Sequence, residues 1–169
     1  MLPPPPILLQ RMRGIGMKMP VRTYMAAKAC GLNLALACSV VMQETGGGVN
    51  EYGHDPTVFV GAGKVTRSNY RQYLVMRDTP HHGARCQGVG PVQLTYWGFQ
   101  DRADALGGCW RPLVNMKVGF ADLARNVRVD GLREGVKAYN GSGAAADAYA
   151  DAVIERAKSY AVRLRLPSP

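Results

Sequence analysis

Glu44 is the residue of this chain best placed for proton chemistry. It closes the apolar run of "VVMQETGGG", residues 40–48, and three glycines follow it. A carboxyl at a helix C-terminus feels the negative end of the macrodipole, and apolar neighbours strip away its water. Both effects favour the protonated form. A general acid working near neutral pH needs that environment. The glycines are expected to let a bulky ligand approach the backbone. The plain alternative is a solvated Glu at a Gly-stopped helix end.

Two further motifs carry polar groups that suit a sugar. In "GVGPVQLT", residues 88–95, two glycines and a proline fix a bend, and Gln93 is the one amide of an apolar piece. A buried amide needs partners, and sugar hydroxyls or an acetamido group would supply them. In "AYNGSG", residues 138–143, Tyr139 and Asn140 offer a ring and an amide at a helix end. Taken singly, each motif also reads as a turn or a helix stop.

Helices must position these groups. The pattern predicts a helix over 22–30 stopped by Gly31, then a nearly all-apolar helix over 34–44 capped by Asn33, the central buried one. Ser68 is expected to cap a helix through "NYRQYLVMR". A short hairpin is expected in "PTVFVGAGKVT", residues 56–66. "YWGFQDRADALGG" reads as a short helix closed by Gly107. Pro112 opens another, with Leu113, Met116, Phe120, Leu123 and Val127 at helical spacing. Gly131 breaks it, "LREGVKAYN" follows, and the last helix runs from about 144 to 164. The expected fold class is mainly α, with a central buried helix and a small irregular or hairpin insert.

The chain has 169 residues, enough for one core. Residues 1–20, with "PPPP", read as an N-terminal linker, 21–165 as the folded domain, and 166–169 as a linker-like tail. The chain is therefore expected to be one module of a longer protein. Lys plus Arg number 21 against 12 Asp plus Glu, a formal charge of +9, which attracts polyanions. Charge is the sole argument for nucleic acid, and no helix-turn-helix, zinc signature or interleaved basic-aromatic run supports it. No stretch approaches the ~18 apolar residues of a membrane span, and the start is not a signal peptide. Cys30, Cys38, Cys86 and Cys109 form no CxxC pair, and His81 and His82 lack a second cluster. Reduced thiols, no metal and no cofactor are expected; a Cys86–Cys109 bridge has no support in the spacing.

Taken in order, "MQETGGGVNEYGHD", "GVGPVQLTYWGFQDRADALGG" and "AYNGSGAAADAYAD" resemble the soluble lytic transglycosylase and goose-type lysozyme superfamily. The likeness runs from about Leu34 to Tyr160. It is nearest to lysozyme-like modules of endolysins from phages of actinobacterial hosts. The resemblance implies a lysozyme-like fold that cleaves the β-1,4 bond between N-acetylmuramic acid and N-acetylglucosamine. Glu44 then matches the acid that protonates the glycosidic oxygen. Gln93 matches the Gln of the sugar cleft, and Tyr139 and Asn140 the Tyr–Asn pair beside the acid. Tyr96 and Trp97 are expected to stack on a sugar ring, or at least one of them to fill the core. The implied partner is bacterial peptidoglycan, met by a monomer made in a host cytoplasm and acting on the wall. The positive charge would draw it to anionic wall polymers.

The second carboxylate decides the chemistry. Hydrolysis normally needs a base or nucleophile facing the acid, whereas a lytic transglycosylase uses the substrate's own acetamido group. Asp55 in "YGHD" is the first candidate, positioning water, with His54 at hand to hydrogen-bond it; its plain role is a turn residue before Pro56. Glu51 and Asp101 are weaker candidates. A transglycosylase and a non-catalytic peptidoglycan-binding module of a phage particle are the alternatives.

Overall fold

A computed structural model of the chain describes residues 3–53 and 63–169. Among these residues the architecture is mainly helical. The helices are α1 (Pro6–Gly14), α2 (Pro20–Cys30), α3 (Leu34–Thr45), α4 (Arg67–Arg77), α5 (Trp97–Ala105), α6 (Pro112–Asp130), α7 (Leu132–Asn140) and α8 (Ala144–Leu164). Extended pairing among the described residues is limited to the isolated antiparallel bridges Glu51–Lys64, Tyr52–Val89 and Val89–Leu94. The expected hairpin over 56–66 falls largely outside the described residues.

The central helix forms as its sequence dictates. Asn33 caps α3, its side-chain oxygen accepting from the Ala35 and Leu36 amides at 2.9 and 3.1 Å. Such a cap contributes about 1 kcal/mol. Leu36, Val40 and Val41 are fully buried, each worth roughly 1.5–3 kcal/mol against exposure. α3 packs against α8 and α2, while α6 packs against α2, α5 and α7. The buried Ser39 hydroxyl donates to the Val153 carbonyl at 2.7 Å, tying α3 to α8.

Two expectations need correction. Residues 6–14 are a helix and not a linker: Pro6 occupies its first turn, where a missing N–H costs nothing. Met12 of α1, with Ile15 and Met17 beyond it, is buried in the core. The cap of α4 is Thr66 and not Ser68. The Thr66 hydroxyl accepts from the Asn69 amide and the Asn69 side chain accepts from the Thr66 amide, a capping box.

Cys30, Cys38, Cys86 and Cys109 are unbridged. Burial pushes the Cys38 and Cys109 thiols up to about 12, so both act as apolar core residues. No described helix is long and apolar enough to cross a membrane, and the described residues hold no cluster of metal-ligating side chains.

Candidate active site

Glu44 lies one residue before the end of α3 and lines a pocket of about 240 Å³. Gln93, Tyr96, Tyr139 and Asn140 line the same pocket. Residues far apart in the chain therefore meet at one carboxyl. The other walls are Val92, Leu94, Thr95, Phe99, Gly119 and Asp122.

The Glu44 carboxyl is half-buried, and burial raises its pKa above the ordinary 4.5. Opposing this, the Tyr149 hydroxyl of α8 donates to Glu44 Oε1 at 2.5 Å. Burial wins, because desolvation of the charge outweighs one donor. Tyr149 itself is buried beside the carboxylate, which pushes its phenol far up and keeps it a donor. Tyr149 lies among the buried residues of α8, and its partner in α3 is a tertiary neighbour that no local pattern announces.

Gln93 does more for the loop than its type suggested. Its backbone is left-handed, with φ 47°, a conformation costly for a non-glycine residue. Its amide nitrogen donates to the Glu51 carbonyl at 2.9 Å and the Gly90 carbonyl at 2.8 Å. Those bonds hold the 88–95 loop against the 50–53 segment, so the Gln93 amide nitrogen is committed to the wall of the pocket. The Tyr139 hydroxyl donates to the Val92 carbonyl at 3.1 Å, fastening α7 to the same loop. Burial, then the nearby Glu44 and Asp122, raise the Tyr139 phenol well above its usual value. Asn140, exposed at the end of α7, lines the pocket with an amide that makes no hydrogen bond among the described residues.

Of the two aromatic residues expected to stack on a sugar, Tyr96 lines the pocket with 54% of its surface exposed. Trp97 does not line it. Its ring sits 5.0 Å from that of His82 and covers Gly83, where a Cβ would collide with the indole. Trp97 therefore supports the outside of the loop.

Asp55 and His54 lie outside the described residues. Glu51 lines no part of the pocket; its backbone carbonyl serves Gln93. Asp101 is also elsewhere, bridging the buried Arg77 at 3.0 Å and His82 at 2.8 Å. The acid that sequence reading missed is Asp122, buried on α6 and paired with Arg125 at 2.6 Å. A signal for it exists: Asn115, Gly119, Asp122 and Asn126 fall on one face of α6, and all four are buried. A polar stripe inside an apolar helix marks a face turned to a site.

The glycines after Glu44 have another task than admitting a ligand, and none of them lines the pocket. Gly46 closes α3 in the left-handed conformation, with φ 61°. A Cβ on Gly47 would collide with the Gly16 carbonyl oxygen. The turn packs onto the segment after α1, whose Lys18 amide donates to the Gly47 carbonyl at 2.7 Å.

Comparison with protein-family models, with curated proteins and with solved structures finds no match to this chain.

Proposed function

We propose that the chain is a peptidoglycan-degrading glycosidase of the lysozyme-like kind, a muramidase with Glu44 as general acid. The observation that carries this reading is a half-buried carboxyl of raised pKa, held by Tyr149 and opening into a pocket lined by Gln93, Tyr96, Tyr139 and Asn140. The described helices suit a lysozyme-like fold around a central α3.

In this reading Glu44 keeps its proton until a glycosidic oxygen comes within reach. It then donates that proton as the C1–O bond breaks, and the sugar develops oxocarbenium character. The exposed ring of Tyr96 offers a face for a pyranose. The Asn140 amide offers a donor and an acceptor to an acetamido group. Asp55 is the proposed base that positions water.

A lytic transglycosylase is the second reading, and Asp122 is what favours it. Among the described residues, Glu44 and Asp122 are the carboxylates lining the pocket, and Asp122 is engaged by Arg125 and Asn126. Substrate-assisted chemistry asks for no second free carboxylate.

Glu44→Gln keeps the shape of the side chain and its acceptor for Tyr149. The folded variant is expected to lose wall lysis by about 10²–10⁴-fold, the usual worth of a positioned acid. Undiminished clearance of a wall suspension by folded Glu44→Gln would overturn the assignment. Mass spectrometry of the digest separates the two reactions: reducing ends mean hydrolysis, and anhydro-muramyl ends mean transglycosylation.

A further inference from the structure

A second pocket, of about 290 Å³, shares no lining residue with the first. Arg22, Lys64, Arg67 and Trp110 line it, with the buried Asn50 in its wall. All three cations are exposed, and among the described residues none has a carboxylate partner. The other ion pairs among the described residues gather around Arg77, Arg125 and Arg133, or join neighbours on one helix. Among the described residues, positive charge is concentrated here and has no carboxylate against it.

The backbone adds to it. Met19 and Arg22 bring the N-terminal turn of α2 to this pocket, Thr66 and Arg67 that of α4, and Pro112 that of α6. None of the three helices has an acidic residue in its first turn. Each such end carries about half a positive charge, although the α4 end is already capped by Thr66 and Pro20 and Pro112 bring no N–H of their own; an anion is the usual complement. Three converging ends and three cations make a stronger field than any of them alone.

Asn50 supplies an independent sign of a ligand. Its side-chain nitrogen donates to the carbonyls of Val65 at 2.8 Å and Trp110 at 3.3 Å. That fixes the orientation of the amide and leaves Oδ1 buried with no partner among the described residues. A buried acceptor without a donor is costly. A ligand that brings a hydroxyl with its anionic group satisfies both needs at once.

From these contacts we infer that this pocket is a binding site for a phosphate ester of a polyol, separate from the pocket of Glu44. Arg22, Lys64 and Arg67 face the phosphate, and a ligand hydroxyl donates to Asn50. The inference stands whether or not the chain cuts glycans.

Titration calorimetry of the whole chain with glycerol 3-phosphate, at low salt, tests it. Saturable one-site binding is expected. Arg22→Gln with Arg67→Gln should weaken it at least tenfold. The control pair Arg102→Gln with Arg128→Gln removes the same charge from other exposed positions and should leave affinity within about twofold. Equal weakening by both pairs, or no binding of the ester at all, overturns the site. Propyl phosphate, which lacks hydroxyls, should bind several-fold more weakly; equal binding overturns the role of Asn50. Poly(glycerol phosphate) then separates the sources. Binding that falls in the Arg22/Arg67 variant assigns the pocket to a polymer, and failure of the polymer beside intact ester binding assigns it to a free phosphate ester. A polymer that binds while the ester does not is held by net charge, and the inference fails.

Discussion

Tyr149→Phe removes one oxygen and with it the one side-chain donor to Glu44 among the described residues. A hydrogen bond to a charged group contributes about 1.5–3 kcal/mol. Glu44 is only half-buried, so solvent screening favours the lower end, about 1.5 kcal/mol. In a chain of this length that loss corresponds to a fall in Tm of roughly 3–6 °C. The pH dependence has a definite sign. Below the ordinary Glu value of 4.5, Glu44 is protonated in both folded and unfolded chains and burial of charge costs nothing. As pH rises past it the unfolded chain loses its proton first, so stability falls until the folded chain's raised value is passed. Without the Tyr149 hydroxyl the buried charge is worse off, so the fall is larger and the gap to the wild type widens from acid to neutral pH. Urea denaturation at both pH values measures it. In a Glu44→Gln background only a neutral bond is lost, about 0.5–1 kcal/mol, which leaves a coupling of about 0.5–1 kcal/mol. Zero coupling, or a gap independent of pH, would refute the contact. Under the proposed chemistry the same variant also moves the alkaline limb of lysis to higher pH.

Other positions carry separate tests. A Cβ at Gly119 would sit 2.6 Å from Val92 Cγ2 and 2.9 Å from the Tyr139 hydroxyl, so Gly119→Ala should cost about 1–3 kcal/mol by overpacking, read by denaturation, and reduce lysis with it. Gly47→Ala, at φ 101° and against the Gly16 carbonyl, should destabilise by more than about 1 kcal/mol. A thermal melt unchanged by Gly47→Ala would contradict the packing of that turn. Asn33→Ala should cost about 0.5–2 kcal/mol through the lost cap of α3, measurable by the same melts, with little change in lysis per folded molecule.

Local chemistry was legible wherever the signal was local. Asn33 as a cap, Gly31 and Gly131 as breaks, and the span of α8 follow from residues within a turn of one another. The meeting of Glu44, Gln93, Tyr139 and Asn140 followed only from the combined order of three motifs, since none of them fixes where the others lie. What stayed hidden has identifiable causes. The prolines that suggested a linker also suit the first turn of α1, and composition cannot choose between those roles. Thr66 and Ser68 are equally good caps by type; the reciprocal bond with Asn69 decides. The Gln93 amide looks from sequence like a sugar ligand because one of its two competing carbonyls, that of Glu51, arrives from another segment, and the other, that of Gly90, is reached only through the left-handed turn of the loop.

The register between α3 and α8 is what makes Glu44 more than a helix end. Ser39 binds the Val153 carbonyl and Tyr149 meets Glu44, so residue numbers rise along α3 as they fall along α8 between these two contacts, and Arg156 adds a side-chain tie to Gln43 at 2.9 Å. A slip of one helical turn moves a side chain by about 5.4 Å, more than any hydrogen bond spans. The Ser39 bond is buried and costly to break, and it lies within two turns of the acid along α3. The proton affinity of Glu44 is thus set by opposing influences from different elements. Burial at the end of α3 raises it, and a phenol delivered by α8 lowers it. The Ser39–Val153 bond keeps that phenol in reach, so the position of the acid's donor is fixed by the core and not by the pocket.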